Sequence, residues 1–163
     1  MDDESRVRKQ LNVRVPVVAK EQLIRVTAFR DRSITNYVEM YAAYCEARVL
    51  RDLSEKDRAR YLAMEIRRLP PKKPDTRGPT VVTWTTLSMQ LTIKAKRQLR
   101  RYANYRGRSI SGELAHFAAS AEQFITKNMT DEQRAAYMAG TLDRALFFPD
   151  MADDDATQPG EAA

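Results

Sequence analysis

Strict alternation of polar and apolar residues over Gln10–Pro16 limits what this chain can fold into more than any other feature. A period of two residues is typical of a β-strand with one face on a core and the other face free. Such a short strand needs a partner for its backbone hydrogen-bonding groups. The segment Thr86–Thr92 has the same alternation in the same phase. We therefore predict that the two segments pair as an antiparallel ribbon.

The two strands belong to a longer internal repeat. A shift of 76 residues aligns 10–66 with 86–142 without a gap, and 17 of the 57 aligned positions are identical. Chance rarely gives this level of identity over an ungapped stretch, so we interpret the chain as a tandem duplication. The identical pairs include Lys20/Lys96, Arg25/Arg101, Arg32/Arg108, Ser33/Ser109, Glu46/Glu122 and Tyr61/Tyr137.

A helix is predicted after each strand, over 19–30 and again over 94–106. Gly107 supplies the left-handed turn that ends the second of these helices. Asp31 holds this place in the first repeat, although aspartate adopts such a turn less readily than glycine. The sequence therefore determines the first turn less well than the second.

Two further helices are predicted in each repeat. The second helix carries one apolar stripe, and it starts after Ser33 or Ser109, whose hydroxyl can accept a hydrogen bond from a free backbone amide. The third helix starts at a capping box. These boxes are Ser54–Asp57 and Thr130–Gln133, and the third helices are expected to end near Leu69 and Leu146.

Composition divides the chain into five parts. Prolines and a glycine between the repeats favour an extended linker, and an acidic C-terminal segment with few large apolar residues is predicted to be disordered. The expected parts are a flexible charged arm (1–9), the first repeat with its third helix (10–69), a proline-rich linker (70–84), the second repeat with its third helix (85–148) and an acidic tail (149–163). The predicted fold class is mainly α with one two-stranded antiparallel β-ribbon.

The charge of the chain favours an anionic partner. The net charge is +6, and the segment 84–127 holds eight basic residues against two acidic ones. This balance is typical of nucleic-acid binding, although a solvated basic surface would also give it. The single cysteine, Cys45, excludes an intrachain disulfide and favours a reducing compartment. Since no apolar run of bilayer length and no signal peptide is seen, we expect a cytoplasmic protein with no membrane partner.

No catalytic arrangement is visible in the sequence. The only histidine, His116, lies beside Phe117 on a predicted helix, and Cys45 lies on an apolar stripe. No cysteine–histidine cluster has the spacing of a metal site, and no glycine-rich loop follows a strand. We therefore expect neither an enzyme nor a bound cofactor or metal.

The order of strand, helix, turn and helix resembles the ribbon-helix-helix family of the MetJ/Arc superfamily. Two motifs carry the resemblance. Gln10-x-Asn12-x-Arg14-x-Pro16 is similar to the reading strand of Arc-type repressors, and Arg106–Leu114 is similar to the segment between the family's two helices. The resemblance implies tandem ribbon-helix-helix units that form a single-chain pseudo-dimer and insert the ribbon into the major groove of double-stranded DNA. The second strand departs from the pattern, because it lacks the Gln/Asn/Arg set.

The alternation also predicts which side chains would read bases. With the apolar residues of both strands directed inward, the polar residues project outward together. Arginine suits O6 and N7 of guanine, while asparagine or glutamine suits N6 and N7 of adenine. The predicted base-reading residues are Gln10, Asn12, Arg14, Thr86, Ser88 and Gln90, the first three forming the stronger set. Taken alone, this pattern would also fit an ordinary solvent-facing strand.

Exposed amides at the start of the second helix in each repeat can hold a phosphate. Arginines next to these helix starts would add positive charge, and a capping serine can contact a phosphate as well. The predicted phosphate-binding residues are Arg32, Ser33, Thr35, Arg108, Ser109 and Ser111. By contrast, Arg25/Arg101 and Lys20/Lys96 are expected on a solvated helix face.

Three cellular roles are compatible with the resemblance. Fused ribbon-helix-helix pairs are similar to accessory proteins of conjugative and T-DNA transfer, such as TraY-like relaxosome components. This role is our main hypothesis, with other DNA-transfer or DNA-bound proteins as partners and with self-association of the monomeric pseudo-dimer on DNA. Transcriptional repression is the alternative. A third role is an antitoxin-like partner-binding module that uses the acidic tail, although this tail lacks the apolar anchors that such segments usually need.

Overall fold

A computed structural model describes residue 4, residues 6–68 and residues 81–143 of the chain. These residues form two strands and six helices, so the prediction of a mainly helical fold with one two-stranded antiparallel sheet is confirmed. The elements are β1 (Arg8–Pro16), α1 (Val17–Phe29), α2 (Ile34–Asp52), α3 (Glu55–Leu62), β2 (Trp84–Thr92), α4 (Ile93–Tyr105), α5 (Ile110–Thr126) and α6 (Asp131–Ala139).

β1 and β2 pair with each other as an antiparallel ribbon, as the alternation predicts. Asn12 lies opposite Ser88, and the 76-residue shift places these two residues at the same position of the two repeats. The register is therefore symmetric about this central pair. Each strand begins two residues earlier than predicted, because the pairing continues to Arg8 in β1 and to Trp84 in β2.

The inner face of the ribbon is buried against helices of both repeats. Val15 and Leu91 have no exposed surface, and Leu87 is 2% exposed. A fully buried side chain of this size contributes about 1.5–3 kcal/mol relative to an exposed one. The residues packed around the strands in this core include Ala19, Leu23, Val38, Ala42, Leu99, Leu114, Phe117 and Ala118.

Helices of one repeat pack mainly against helices of the other. α1 packs mainly against α5, and α2 packs mainly against α4. The apolar stripes of the two repeats therefore meet in a shared core under the ribbon. A smaller apolar cluster, which includes Val26, Ile125 and Tyr137, extends this core towards α6.

The turns between the first and second helices of the two repeats have the same backbone conformation. Asp31 has a φ of 53° and Gly107 a φ of 67°, so aspartate adopts the left-handed turn despite its Cβ atom. Ser33 then caps α2 by accepting a hydrogen bond from the amide of Asn36. Ser109 caps α5 in the same way, and both predicted caps are confirmed.

The third helices are shorter than the sequence predicts. α3 ends at Leu62, because Met64 takes a left-handed conformation with a φ of 59° that breaks the helix. α6 ends at Ala139, because Gly140 forms a left-handed cap with a φ of 71°. The predicted ends near Leu69 and Leu146 lie outside the described residues.

One of the two predicted capping boxes is complete. At the start of α6, the amide of Gln133 donates to Thr130 and the amide of Thr130 donates to the Gln133 side chain. At the start of α3, the amide of Asp57 donates to Ser54, but the Ser54 hydroxyl donates to the Asp57 carboxylate. The reciprocal bond is missing there, because the carboxylate binds the hydroxyl rather than the backbone.

The predicted part boundaries shift at both strands. β1 begins inside the predicted arm, and Trp84, assigned to the linker, is the first residue of β2. The rest of the linker up to residue 80 and the acidic tail lie outside the described residues. Among the described helices, none is long and apolar enough to cross a bilayer.

Candidate nucleic-acid interface

The outer face of the ribbon is polar and exposed. The six residues predicted to read bases all lie on it, and all six are exposed. They face each other as three cross-strand pairs, with Asn12–Ser88 in the centre. The flanking pairs are Gln10–Gln90 and Arg14–Thr86. The structure thus brings the predicted set together on one surface.

The core determines which side chains point outward. Side chains alternate between the two faces of a strand, so a slip by one residue would exchange the faces. Such a slip would bury Arg14 and expose Val15. Burial of a charged group without a partner is strongly unfavourable, and Val15 would lose its apolar contacts. The polar face is therefore fixed by the packing beneath it.

The outer face offers both hydrogen-bond donors and acceptors. The side-chain amide of Gln10 donates to Oδ1 of Asn12 at 3.0 Å, which orients both side chains along β1. The guanidinium of Arg14 has no hydrogen-bond or ion-pair partner among the described residues. Its five donors are therefore available to an acceptor outside the chain.

The polar face extends further than the sequence analysis predicts. Arg8 lies two positions before Gln10 on the same side of β1, and its guanidinium donates to Glu39 at 3.1 Å and to the carbonyl oxygen of Gln90 at 2.7 Å. Trp84 occupies the corresponding place in β2 and is 48% exposed. Extending the period of two by one step towards the N-terminus would have found both residues.

The predicted phosphate-binding residues lie at the N-termini of α2 and α5. Ser33 and Ser109 are exposed, and Thr35 and Ser111 are partly buried in the first turn of each helix. The Ser111 hydroxyl donates to the carbonyl oxygen of Arg14. This bond ties the start of α5 to the edge of the ribbon, so one helix N-terminus is held beside the polar face.

The two predicted arginines have different surroundings. Arg32 is exposed, and its guanidinium lies 3.2 Å from the sulfur of Met40. Arg108 instead donates to the carboxylate of Glu113 at 2.9 Å, and Glu113 is completely buried. Arg108 thus compensates a buried charge, and only part of its guanidinium faces solvent.

Glu113 accepts a second hydrogen bond from the hydroxyl of Tyr41 at 2.5 Å. Burial, together with the adjacent carboxylate of Glu113, raises the pKa of Tyr41 well above its ordinary value. The hydroxyl therefore stays protonated at neutral pH and remains a donor to the carboxylate. Sequence reasoning missed this network, because no periodicity marks a buried carboxylate.

The expectation that Arg25 and Arg101 lie on a solvated helix face is wrong. Arg25 donates two hydrogen bonds to Glu122, at 2.7 and 3.1 Å. Arg101 donates two to Glu46, at 2.5 and 2.9 Å. Each is a bidentate, partly buried ion pair between helices of different repeats. The signal was present in the sequence, since all four residues are identical between the repeats.

Burial shifts the pKa of both Cys45 and His116. Burial raises the pKa of the Cys45 thiol, which disfavours the reactive thiolate. Burial also lowers the pKa of His116, and its ring lies 3.5 Å from the Ser120 hydroxyl. Within 6–68 and 81–143, no group of three His, Cys, Asp or Glu side chains could hold a metal ion.

Comparisons with known proteins give no relative for this chain. No protein-family model matches it, and neither the curated proteins nor the solved structures contain a significant match.

Proposed function

We propose that this chain is a tandem ribbon-helix-helix protein that forms a single-chain pseudo-dimer and binds double-stranded DNA sequence-specifically by inserting its ribbon into the major groove. One observation carries the proposal. Six exposed polar side chains share the outer face of the ribbon in a register that a buried core fixes.

The dimensions and chemistry of the ribbon support this function. A major groove about 12 Å wide admits a two-stranded ribbon, and all four base pairs can be distinguished there. Arg14 offers the bidentate donors that suit guanine, while Asn12 and Gln10 offer the donor–acceptor pair that suits adenine. β1 carries these three side chains, so we assign most of the sequence preference to β1.

Backbone anchoring follows from the helix starts. The N-termini of α2 and α5 carry free amides and partial positive charge, which favour a phosphate oxygen. Since Ser111 joins the start of α5 to Arg14, a phosphate held at this terminus would position Arg14 against the bases. Arg32 contributes charge at the other terminus, and Arg108 contributes less because it neutralises Glu113.

The two halves of the ribbon predict an asymmetric target. The register is symmetric about Asn12 and Ser88, yet the equivalent positions carry different side chains, with Arg14 in β1 replaced by Gln90 in β2. A target composed of two unlike half-sites, or an imperfect inverted repeat, matches this arrangement. For the cellular role, we retain the accessory function in conjugative or T-DNA transfer as our hypothesis, with transcriptional repression as its alternative.

The test is selection of binding sites from random duplex DNA at physiological salt, with the mass of the protein measured in solution. The expected result is an enriched, asymmetric motif bound by one chain. The matched variant replaces Gln10, Asn12 and Arg14 with alanine, and it should fold normally but lose the motif. If the wild type binds duplex DNA no more tightly than an unrelated basic protein does, the proposal of sequence-specific DNA binding is overturned.

A further inference from the structure

A basic groove lies beside one end of the ribbon, outside its polar face. It has a volume of about 220 Å³ and is lined by Lys9, Ile93, Lys96, Arg97 and Arg100. The last three side chains lie within the N-terminal half of α4, up to Arg100, and Lys9 lies opposite Leu91 near the end of the ribbon. We call this feature the α4 groove.

One cation of the α4 groove, Arg97, already binds a carboxylate. Glu4 accepts a hydrogen bond from Nη1 of Arg97 at 2.5 Å, and the carbonyl oxygen of Val7 accepts one from the amide of Ile93 at 3.1 Å. These bonds hold the N-terminal segment against the start of α4. One carboxylate cannot neutralise four cationic side chains, so the groove retains an excess of positive charge.

The other three cations of the groove are unpaired within the described part of the chain. Among the described residues, Lys9, Lys96 and Arg100 make no hydrogen bond or ion pair through their side chains. Four converging positive charges raise the local potential and favour a ligand with several negative charges along its length. A polyanion matches this better than a single carboxylate does.

The first repeat does not carry the same set of cations. The 76-residue shift places Thr85, Val17, Lys20, Glu21 and Ile24 at the corresponding positions, which leaves one cation and one acid. Lys20 donates to the carbonyl oxygen of Thr86 at 3.0 Å and is thereby held against the ribbon. The charge of the α4 groove therefore has no counterpart at the equivalent positions of the first repeat.

We propose that the α4 groove binds the phosphate backbone of double-stranded DNA on one side of the ribbon, and that phosphate displaces Glu4 from Arg97. This inference rests on the proposed function. The α4 groove would add a contact to the DNA backbone at only one end of the ribbon. This contact would give the ribbon a single orientation on its target and lengthen the bound site on one flank. Backbone contacts position a protein without reading bases.

The first experiment measures how the affinity for a selected duplex depends on salt concentration. In the variant Lys96→Gln/Arg97→Gln/Arg100→Gln, the slope of log affinity against log salt should fall by about 2–3, as expected for two or three lost phosphate contacts. The base preference should stay unchanged. The control Arg48→Gln/Arg51→Gln/Lys56→Gln removes the same charge from α2 and α3 and should leave the slope as in wild type.

The second experiment tests the geometry and the displaced carboxylate. Shortening the duplex on one flank should weaken binding by the wild type, whereas shortening it on the other flank should leave the affinity unchanged. The triple variant should bind with the same affinity whichever flank is shortened. Glu4→Gln should strengthen binding by about two- to fivefold, because an exposed ion pair no longer competes. In the Arg97→Gln background, Glu4→Gln should have no effect.

The outcomes separate the two proposals. A wild-type chain that binds no duplex would overturn DNA binding and the groove together. If the wild type binds a selected duplex but the groove variant and the control variant show the same salt slope, only the proposal for the α4 groove is overturned. Binding of polyglutamate to the groove, combined with an unchanged salt slope on DNA, would also overturn it and assign the groove to an acidic protein.

Discussion

The rings of Tyr41 and Phe117 stack in the shared core with their centroids 3.8 Å apart, and the two residues occupy the same position of the two repeats. Their neighbours differ. The hydroxyl of Tyr41 binds Glu113, whereas the position equivalent to Glu113 is Tyr37, whose ring stacks on Phe117 at 5.2 Å. The core is therefore symmetric in its rings and asymmetric in its polar groups.

Tyr41→Phe should destabilise the fold while leaving the ring stack in place. The buried carboxylate of Glu113 would lose one of its two hydrogen bonds, and bonds to charged groups contribute about 1.5–3 kcal/mol. The free energy of unfolding, measured by chemical denaturation, should fall by this amount. Tyr44→Phe is the control, because Tyr44 is 64% exposed on the same helix. If Tyr44→Phe lowers the free energy of unfolding as much as Tyr41→Phe does, the hydrogen bond to Glu113 does not account for the effect.

Arg108→Ala and Arg32→Ala should differ although they change the same repeat position. Loss of Arg108 leaves Glu113 buried without its counter-charge, which should cost about 3–5 kcal/mol of stability. Arg32 is exposed, so its removal should change stability by no more than about 0.5 kcal/mol. Thermal or urea unfolding of the two variants side by side measures the difference, and equal values would refute it.

Asp31→Gly should stabilise the chain. Asp31 holds a φ of 53°, where a Cβ atom costs about 1–2 kcal/mol and glycine has no such penalty. We expect a gain of about 0.5–1 kcal/mol, because aspartate tolerates this conformation better than most residues. The reverse change at the equivalent turn, Gly107→Asp, should destabilise, and a gain from both changes would contradict the assigned conformation.

Glu122→Gln should lower the free energy of unfolding at neutral pH and have a smaller effect at acidic pH. Burial of Glu122 favours its neutral form, but the hydrogen bonds and charge of Arg25 outweigh burial and hold the pKa of Glu122 below its ordinary value of 4.5. The ionised carboxylate therefore stabilises the fold above pH 4.5, and this contribution is lost as the pH falls through the lowered pKa. The difference in unfolding free energy between wild type and variant should shrink as the pH falls below 4.5, and a constant difference would argue against this linkage.

Arg14→Ala should relax the DNA sequence preference at one base pair. Loss of a bidentate contact to guanine costs about 1–3 kcal/mol of binding free energy on the preferred sequence and much less on a sequence altered at that position. Competition binding with single-position variants of the selected duplex measures this. A uniform loss on every sequence would instead make Arg14 a phosphate contact.

The ribbon and its polar face could be predicted from the sequence because they follow from local periodicity. Alternation determines which side chains share a face of a strand, and the repeat supplies the partner strand. The same reasoning located the caps at Ser33 and Ser109. It could also have ended α6 at Gly140, since glycine at this place is a common signal for a helix end.

The interhelical network could not be predicted in the same way. Whether Arg25 faces solvent or Glu122 depends on how α1 packs against α5, and a single helix does not contain that information. Glu113 is a similar case, because a glutamate in the first turn of a helix is usually exposed. Its burial follows from the packing of α5 in the shared core, and hydrogen bonds from Tyr41 and Arg108 compensate the buried carboxylate.

The pairing of β1 with a strand 76 residues further along the chain also sets an order of events during synthesis. A ribosome adds about 5–20 residues per second, so β1 waits roughly 4–15 s for its partner after it has been made. Helices form in about a microsecond, so α1 and α2 have time to form before the ribbon closes, although their packing partners α5 and α4 are made later. During this interval Leu11 and Val15 lack the second strand and the helices of the second repeat, so the apolar face of β1 stays uncovered until the second repeat has been made.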